Sequence, residues 1–142
     1  MIAGAPGGTE SYLASLKEAA AGDDRIIFTG FVQGKRLEEL FSNAYAFVMP
    51  SELEGMPIAL LEAMSYGNAC LVSDIPECAS VLGSYGEVFK NQDSDSLKEK
   101  LDAFDKDSAL VEKYRKNVAE YCLSHYNWDD IVEKTLETYR SI

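Results

Sequence analysis

Residues 46–73 read AFVMPSELEGMPIALLEAMSYGNACLVS, and this stretch decides the fold. It opens and closes with short apolar runs, at residues 46–49 and 69–72. Because the runs are continuous rather than alternating, they predict strands that are buried on both faces, as in a parallel sheet. Parallel strands that follow one another need a crossover connection, so the segment between the two runs is predicted to hold a helix.

The same order of a strand followed by a helix continues toward both ends of the chain. An apolar run at residues 26–28 and a weaker one at residues 87–89 predict further strands, and helical spacing at residues 12–16 and 37–41 predicts intervening helices. We therefore predict an α/β fold with a Rossmann-like, doubly wound parallel sheet. Residues 1–4 look like the end of a strand followed by a glycine turn. This abrupt start predicts a sheet that is truncated at its N-terminal side, with earlier strands in a longer protein.

The last third of the chain carries only helical periodicity. We predict one domain, residues 1–142, made of an α/β core, residues 1–92, and a helical C-terminal tail, residues 93–142. Three apolar stripes mark the tail: Leu97, Leu101 and Phe104; Val111, Tyr114, Val118 and Cys122; and Ile131, Thr135, Leu136 and Tyr139. The expected N-caps are Ser94 or Asp95 for the first helix and Asn127 for the last.

Composition excludes several classes of function. The chain has 142 residues and a formal net charge of −11, so its average field repels a nucleic-acid backbone or an anionic membrane surface. The 3 cysteines lack paired spacing and predict buried thiols, while the single histidine, His125, is too little for a zinc site or a serine triad. No signal peptide or membrane span is visible. We expect a soluble, cytoplasmic domain, which leaves room for a longer parent protein that is peripheral at a membrane.

Glu62 is the only charged residue between Gly55 and Ser73. If a helix begins at Pro57, a favourable first-turn residue, Glu62 lies on one helical face between Ile58 and Ser65. A carboxylate among apolar neighbours is costly unless hydrogen-bond donors meet it. The adjacent hydroxyls of a ribose are donors with matching bidentate geometry.

Residues 50–57 connect the strand to this helix, so they lie at the carboxyl edge of the predicted sheet, where such folds bind ligands. Free N–H groups and the positive end of the helix dipole would face a diphosphate there. Glu54 would then lie beside whatever group hangs from the second phosphate. The alternative is that Glu54 and Glu62 are ordinary residues, one in a surface loop and the other on a solvated strip of helix.

The run PSELEGMPIALLEAMSYGNACLVSDIPE resembles the E-x7-E segment of retaining glycosyltransferases of the GT-B fold, the family-four-like "glycosyl transferases group 1". Glu54 and Glu62 stand at the two glutamates. IAGAPGG is similar to the strand and glycine turn early in the family's C-terminal domain, and IIFTGFV to the strand and loop near the base. HYNWDDIVEKTLETYRSI is similar to its closing helices. The resemblance covers nearly the whole chain and implies the C-terminal, nucleotide-sugar-binding domain of a two-domain enzyme.

The resemblance implies a role for each matching residue. Glu54 would be the catalytic residue beside the donor sugar, and Glu62 would accept hydrogen bonds from the ribose. The residues expected to bind the donor between them are Gly55, Met56, Pro57, Ile58 and Ala59. Phe31 and Val32 would border the base. The family transfers sugars, as hexosyltransferases do, with retention and without a divalent metal, so the resemblance implies no cofactor beyond the nucleoside diphosphate sugar as substrate.

Two departures from the family pattern limit what we expect of the chain alone. The basic pair that grips the diphosphate lies upstream of the IAGAPGG strand, and Lys35 and Arg36 fit the surface start of a helix better than a replacement. The N-terminal domain, which binds the saccharide or lipid-linked acceptor, is absent as well. We therefore expect weak donor binding, no transfer, no nucleic-acid partner, and self-association through an exposed helical tail.

Two other functions stay open on sequence grounds. A nucleotide-sugar epimerase of the GT-B fold binds the same ligand, and a histidine-based catalytic site in an upstream domain would favour it. A non-catalytic nucleotide-sugar-binding module would keep the fold without the chemistry.

Overall fold

The computed structural model describes residues 1–141, so the last residue of the predicted tail, residue 142, lies outside the described residues. The chain divides into two compact units, Met1–Leu40 and Phe41–Ile142, and each is described by itself.

The first unit contains a short parallel pair of strands. Strand β1 (Ile2–Ala3) is followed by helix α1 (Glu10–Ala19), and strand β2 (Phe28–Gly30) by the beginning of helix α2 (Lys35–Asn43). In the pair, Ile2 aligns with Phe28 and Ala3 with Gly30. The sequence placed the second strand at residues 26–28, but the strand begins only at Phe28, since the Ile26 N–H donates within a turn to the Asp23 carbonyl oxygen at 3.1 Å.

The second unit contains a parallel sheet of three strands in the order β3-β4-β5. Its elements in chain order are strand β3 (Phe47–Met49), helix α3 (Ile58–Ser65), strand β4 (Cys70–Ser73), helix α4 (Pro76–Leu82) and strand β5 (Gly86–Phe89). The central strand β4 is buried along its whole length, which is why its sequence is continuously apolar up to Ser73. The predicted α/β fold with parallel strands and crossover helices is confirmed.

Helix α4 lies between the apolar runs at residues 69–72 and 87–89, where the sequence analysis identified no helical spacing. The helix begins at Pro76, whose fixed φ suits the first helical position. It then buries Cys78, Val81 and Leu82, which lie one helical turn apart on a single face. A helix of 7 residues is too short for periodicity to reveal.

Three further helices follow the sheet: α5 (Ser94–Lys106), α6 (Ser108–His125) and α7 (Trp128–Arg140). The N-cap predicted for α5 is wrong, since Asp93 is the cap and accepts a 3.0 Å bond from the Ser96 N–H. Ser94 lies inside the first turn, so it no longer has the extended backbone that a cap requires. Asn127 caps α7 as predicted and accepts a 2.9 Å bond from the Asp130 N–H.

The core of the second unit lies between the sheet and the helices α5 and α6. Its central cluster contains Ala69, Leu71, Phe89, Phe104, Val111 and Tyr114. The predicted stripe of α6 is buried throughout, whereas α7 buries none of its residues. The cysteines Cys70, Cys78 and Cys122 are buried free thiols, as the sequence predicted.

Candidate functional site

The loop at residues 50–57 runs from the carboxyl end of β3 to the start of α3. Glu54 lies in this loop and is half-buried, and Glu62 lies in the second turn of α3. Glu54 therefore lies in the connection that follows the carboxyl end of β3, and Glu62 lies in the helix that this connection leads into.

Two serines attach this loop to the sheet. Ser73, the last residue of β4, donates its hydroxyl hydrogen bond to the carbonyl oxygen of Ser51. The Ser51 hydroxyl donates in turn to Oε1 of Glu54, at 2.7 Å. The other carboxylate oxygen, Oε2, has no donor among residues 1–141 and stays available to a ligand.

Helix α3 packs one face inward and leaves the other open. Leu60, Ala63 and Met64 are fully buried, and the helix packs against α6. The opposite face carries Ile58, which is 55% exposed, together with exposed Ala59 and Glu62. The sequence interpretation that Glu62 sits in apolar surroundings is therefore wrong, because burial follows the inner face of the helix and Glu62 lies on the outer one. Its carboxylate is solvated and has no ion-pair partner among the described residues.

The helix start differs from the prediction by one residue. Pro57 is the N-cap rather than the first helical residue, and its ring is buried. Its carbonyl oxygen accepts hydrogen bonds from the N–H groups of Leu60 and Leu61, at 3.0 and 3.1 Å. Pro57 thereby fixes the loop against the helix without contributing an N–H of its own.

Free backbone donors cluster at the same place. Within residues 1–141, the N–H groups of Gly55, Met56 and Ala59 have no hydrogen-bond partner. The N–H of Ile58 differs, since it donates to the carbonyl oxygen of Met56 at 2.8 Å. A loop and helix start with unpaired donors favour an anion, because the helix dipole adds to the N–H groups.

Phe31 and Val32 lie in the first unit, directly after β2. The Phe31 ring is 71% exposed and Val32 is half-buried. In the same unit, Lys35 starts α2 and pairs with Glu39 at 4.0 Å, and Arg36 is exposed. This confirms that the two basic residues form the surface start of a helix.

The sequence of the chain matches a known family over most of its length. Residues 1–121 match the model of the family described as Glycosyl transferases group 1. The chain belongs to this family. The matched range contains all the residues proposed for the glycosyltransferase site, from Phe31 to Glu62, and ends before α7.

Individual glycosyltransferases support the assignment. The chain is 31% identical over 115 residues to alpha-maltose-1-phosphate synthase of Mycobacterium tuberculosis, covering 75% of this chain and 30% of that relative. It is 33% identical over 103 residues to the N,N'-diacetylbacillosaminyl-diphospho-undecaprenol alpha-1,3-N-acetylgalactosaminyltransferase of Campylobacter jejuni, covering 71% of this chain and 27% of that relative. The chain thus spans less than a third of the length of either relative.

A solved structure shows the same fold. The crystal structure of Anabaena HepE in complex with UDP-glucose matches with a TM-score of 0.88 and 16% sequence identity, over 99% of this chain and 40% of that one. At this identity the likeness establishes the GT-B type of α/β architecture and nothing finer.

Two residues of the site were missed by sequence reasoning, namely Ser51 and Ser73. Ser51 stands only three positions before Glu54, so their contact was within reach of a local reading of the loop sequence. Ser73 gave no local signal, because its partner lies 22 positions away. Cys78 also lies near this site, where burial, followed by the negative charges of Glu54 and Glu77, raises the pKa of its thiol.

Two features are absent from the described part of the chain. No helix within residues 1–141 is long and apolar enough to cross a membrane. Over the same residues, no group of His, Cys, Asp and Glu side chains is arranged to hold a metal ion.

Proposed function

We propose that this chain is the donor-binding part of a retaining hexosyltransferase, which moves a sugar from a nucleoside diphosphate sugar to a saccharide or lipid-linked acceptor. One observation carries the proposal: in a chain of the glycosyltransferase family, Glu54 and Glu62 lie on one loop and helix at the carboxyl edge of the sheet. The relative from Campylobacter jejuni is named for an undecaprenol-linked acceptor, and Anabaena HepE binds UDP-glucose. Both names support the proposed substrate classes.

Glu62 is proposed to accept hydrogen bonds from the two ribose hydroxyls of the donor. Its exposure means that water, rather than protein, fills this position in the free chain. Ribose hydroxyls would replace that water with a bidentate contact to a charged acceptor, which is the stronger kind of hydrogen bond. Phe31, with its exposed ring, and Val32 are proposed to border the base.

The diphosphate is proposed to lie against the unpaired N–H groups of Gly55, Met56 and Ala59. When the bond to the sugar breaks, negative charge grows on the diphosphate, and fixed donors and the helix dipole stabilise it without a metal ion. Pro57 and Ile58 shape the turn that presents these donors. Glu54 is proposed to contact the hydroxyls of the donor sugar and to place its anomeric carbon for transfer.

The rest of the protein is proposed to supply the acceptor site and one wall of the catalytic cleft. This chain spans 30% and 27% of the two relatives described above and carries a net charge of −11. A diphosphate is therefore held by local donors against an unfavourable average field. We expect weak donor binding and no transfer by the chain alone.

Self-association through α7 is a further part of the proposal. The helix buries no residue. Its apolar face consists of the predicted stripe, in which Tyr139 is 71% exposed, together with Trp128, 77% exposed, and Val132, 52% exposed. An apolar stripe of this kind on a helix favours burial against another surface.

Donor binding is tested by ligand-observed NMR with two ligand pairs, UDP with UDP-glucose and GDP with GDP-mannose. Glu62→Gln is expected to lower the affinity for both ligands of the pair that binds, because both ligands carry the ribose. Glu54→Gln is expected to lower only the affinity for the nucleotide sugar. The matched control is Glu52→Gln, which removes the same charge from an exposed residue of the same loop.

The outcomes separate the proposal from its alternatives. If Glu62→Gln binds both ligands as the Glu52→Gln control does, the ribose contact is wrong. Epimerised sugar nucleotide formed by the full-length protein selects the epimerase. Tight nucleotide binding without transfer, even when the upstream domain is present, selects the non-catalytic module. Brisk transfer by this chain alone contradicts the expectation that it needs the rest of the protein.

A further inference from the structure

Two successive hydrogen bonds link the central strand of the sheet to the carboxylate of Glu54. Ser73 at the end of β4 donates to the Ser51 carbonyl oxygen, and the Ser51 hydroxyl donates to Glu54 Oε1 at 2.7 Å. We propose that Ser51 is a positioning residue that holds Glu54 in one rotamer, so that Oε2 faces the donor sugar, and that Ser73 fixes Ser51. This inference rests on the proposed function of Glu54.

Ser73, the first residue of this hydrogen-bonded connection, lies in a well-packed strand. Ser73 is fully buried and pairs with Phe89 in the parallel register of β4 and β5. A buried hydroxyl needs a partner, and the Ser51 carbonyl oxygen provides it. The backbone of Ser51 is thereby tied to the best-packed strand of the unit.

The rest of the loop has few restraints of its own. Glu52, Leu53, Gly55 and Met56 are exposed, and the Leu53 side chain is 85% exposed. Without the Ser51 hydroxyl, no donor within residues 1–141 would hold the Glu54 carboxylate. Its side chain would then sample several rotamers, as exposed glutamates do.

The two carboxylate oxygens of Glu54 differ in their hydrogen bonding, and this difference fits the recognition of a sugar. Oε1 is occupied by Ser51, whereas Oε2 has no protein donor in the described part of the chain. A sugar hydroxyl that donates to Oε2 gains a bond to a carboxylate whose rotamer is already fixed. Fixing one such side chain in advance corresponds to a gain in affinity of about two- to tenfold.

This role differs measurably from a general stabilisation of the loop. A loop that loosened as a whole would also displace the N–H groups of Gly55 and Met56, which are proposed to bind the diphosphate. Affinity for the nucleotide and for the nucleotide sugar would then fall together. A positioning role predicts that only the affinity for the nucleotide sugar falls.

The first arm of the test measures affinity by ligand-observed NMR, using whichever of the two pairs, UDP with UDP-glucose or GDP with GDP-mannose, binds the wild-type chain. Ser51→Ala is expected to lower the affinity for the nucleotide sugar by about two- to tenfold and to leave the affinity for the nucleotide unchanged. Ser51→Thr, which keeps the hydroxyl, is expected to restore the wild-type ratio. The matched control is Ser124→Ala, which removes a 3.0 Å bond to the Tyr121 carbonyl oxygen in α6.

The second arm needs no ligand. Three-bond NMR couplings that report χ1 of Glu54 are expected to show one rotamer in the wild type and averaging in Ser51→Ala. If the couplings are unchanged, or if the affinities for both ligands fall equally, the positioning role of Ser51 is wrong while donor binding stands. If neither ligand pair binds the wild-type chain, the proposed function is wrong, and so is the proposed contact of Glu54 with a donor sugar.

Discussion

Gly86 in β5 lies directly beside Cys70 in β4, and the two residues are partners in the parallel register. A Cβ atom on Gly86 would overlap the carbonyl oxygen of Cys70 and lie 2.8 and 2.9 Å from the two Cδ atoms of Leu82. Both Cys70 and Leu82 are fully buried, so neither can move aside cheaply. In this register, β5 has no room for a side chain at residue 86 unless the backbone or the Leu82 side chain shifts.

Gly86→Ala is expected to lower the free energy of unfolding by about 1–3 kcal/mol, since overpacking forces the backbone or the Leu82 side chain to shift. Urea denaturation measures the change. The control is Gly55→Ala, where an added Cβ meets no atom within 4 Å, and its stability is expected to stay unchanged or to rise slightly. Equal stability of the Gly86 variant and the wild type would contradict the close packing of β4 and β5.

Glu87 connects β5 to the helical layer. Its carboxylate accepts a 2.8 Å bond from Lys100 Nζ and a second bond from the Tyr114 hydroxyl. Partial burial by itself raises the pKa of Glu87, but the hydrogen bonds of Lys100 and Tyr114 and the charges of Lys100 and Lys113 outweigh it and leave the pKa lowered. The ionised carboxylate therefore stabilises the folded state.

Glu87→Gln is expected to cost about 1 kcal/mol at pH 7. Because the folded pKa lies below the ordinary value of 4.5, the contribution is complete above that value and is lost as the pH falls through the folded pKa. The stability difference between wild type and variant should therefore be constant near neutrality and shrink under acid. Urea denaturation at several pH values checks this, with exposed Glu99→Gln as the control. A difference that grew on acidification would reverse the sign of this prediction.

Asp107 is the N-cap of α6, the helix that supplies most of the buried helical residues. Its side chain accepts bonds from the N–H groups of Ala109 and Leu110, at 3.0 and 3.1 Å. Asp107→Ala leaves the Ala109 N–H without a protein partner, while the Leu110 N–H keeps only its 3.2 Å bond to the carbonyl oxygen of residue 107. The variant should cost about 1 kcal/mol. Thermal or urea unfolding measures the loss. Asp105→Ala removes the same charge from an exposed position of α5, so comparable losses in both variants would show that capping is not the cause.

The exposed face of α7 predicts association that depends on concentration. Val132 lies on the exposed apolar face of α7, one helical turn before Leu136. Val132→Asp would put a charge into any surface that this face buries, at a substantial free-energy cost. Sedimentation velocity over a range of concentrations should show the wild type associating and this variant remaining monomeric. The control Asn117→Asp adds the same charge to the exposed side of α6 and should associate like the wild type. A wild type that is monomeric throughout would contradict self-association.

Local patterns in the sequence predicted the elements of the fold well. Continuous apolar runs located β3 and β4, and β4, which is buried along its whole length, is apolar at every position up to Ser73. The signal for β5 was weaker because that strand contains Glu87 and is only partly buried. The stripe of Val111, Tyr114, Val118 and Cys122 is buried as its helical spacing predicted. The cap at Asp93 was missed because several adjacent polar residues are chemically equivalent, and only the backbone conformation selects one of them.

The sequence by itself determined the parallel α/β class, the family, and the position of Glu54 and Glu62 on one β–α connection, because these follow from patterns only a few residues long. Only the tertiary structure decided that Glu62 is exposed, that Ser73 reaches the loop through Ser51, and that β5 has no room for a side chain at residue 86. Exposure and long-range contacts depend on which surfaces the packed elements bring together, and that choice is made by the whole core rather than by neighbours along the chain.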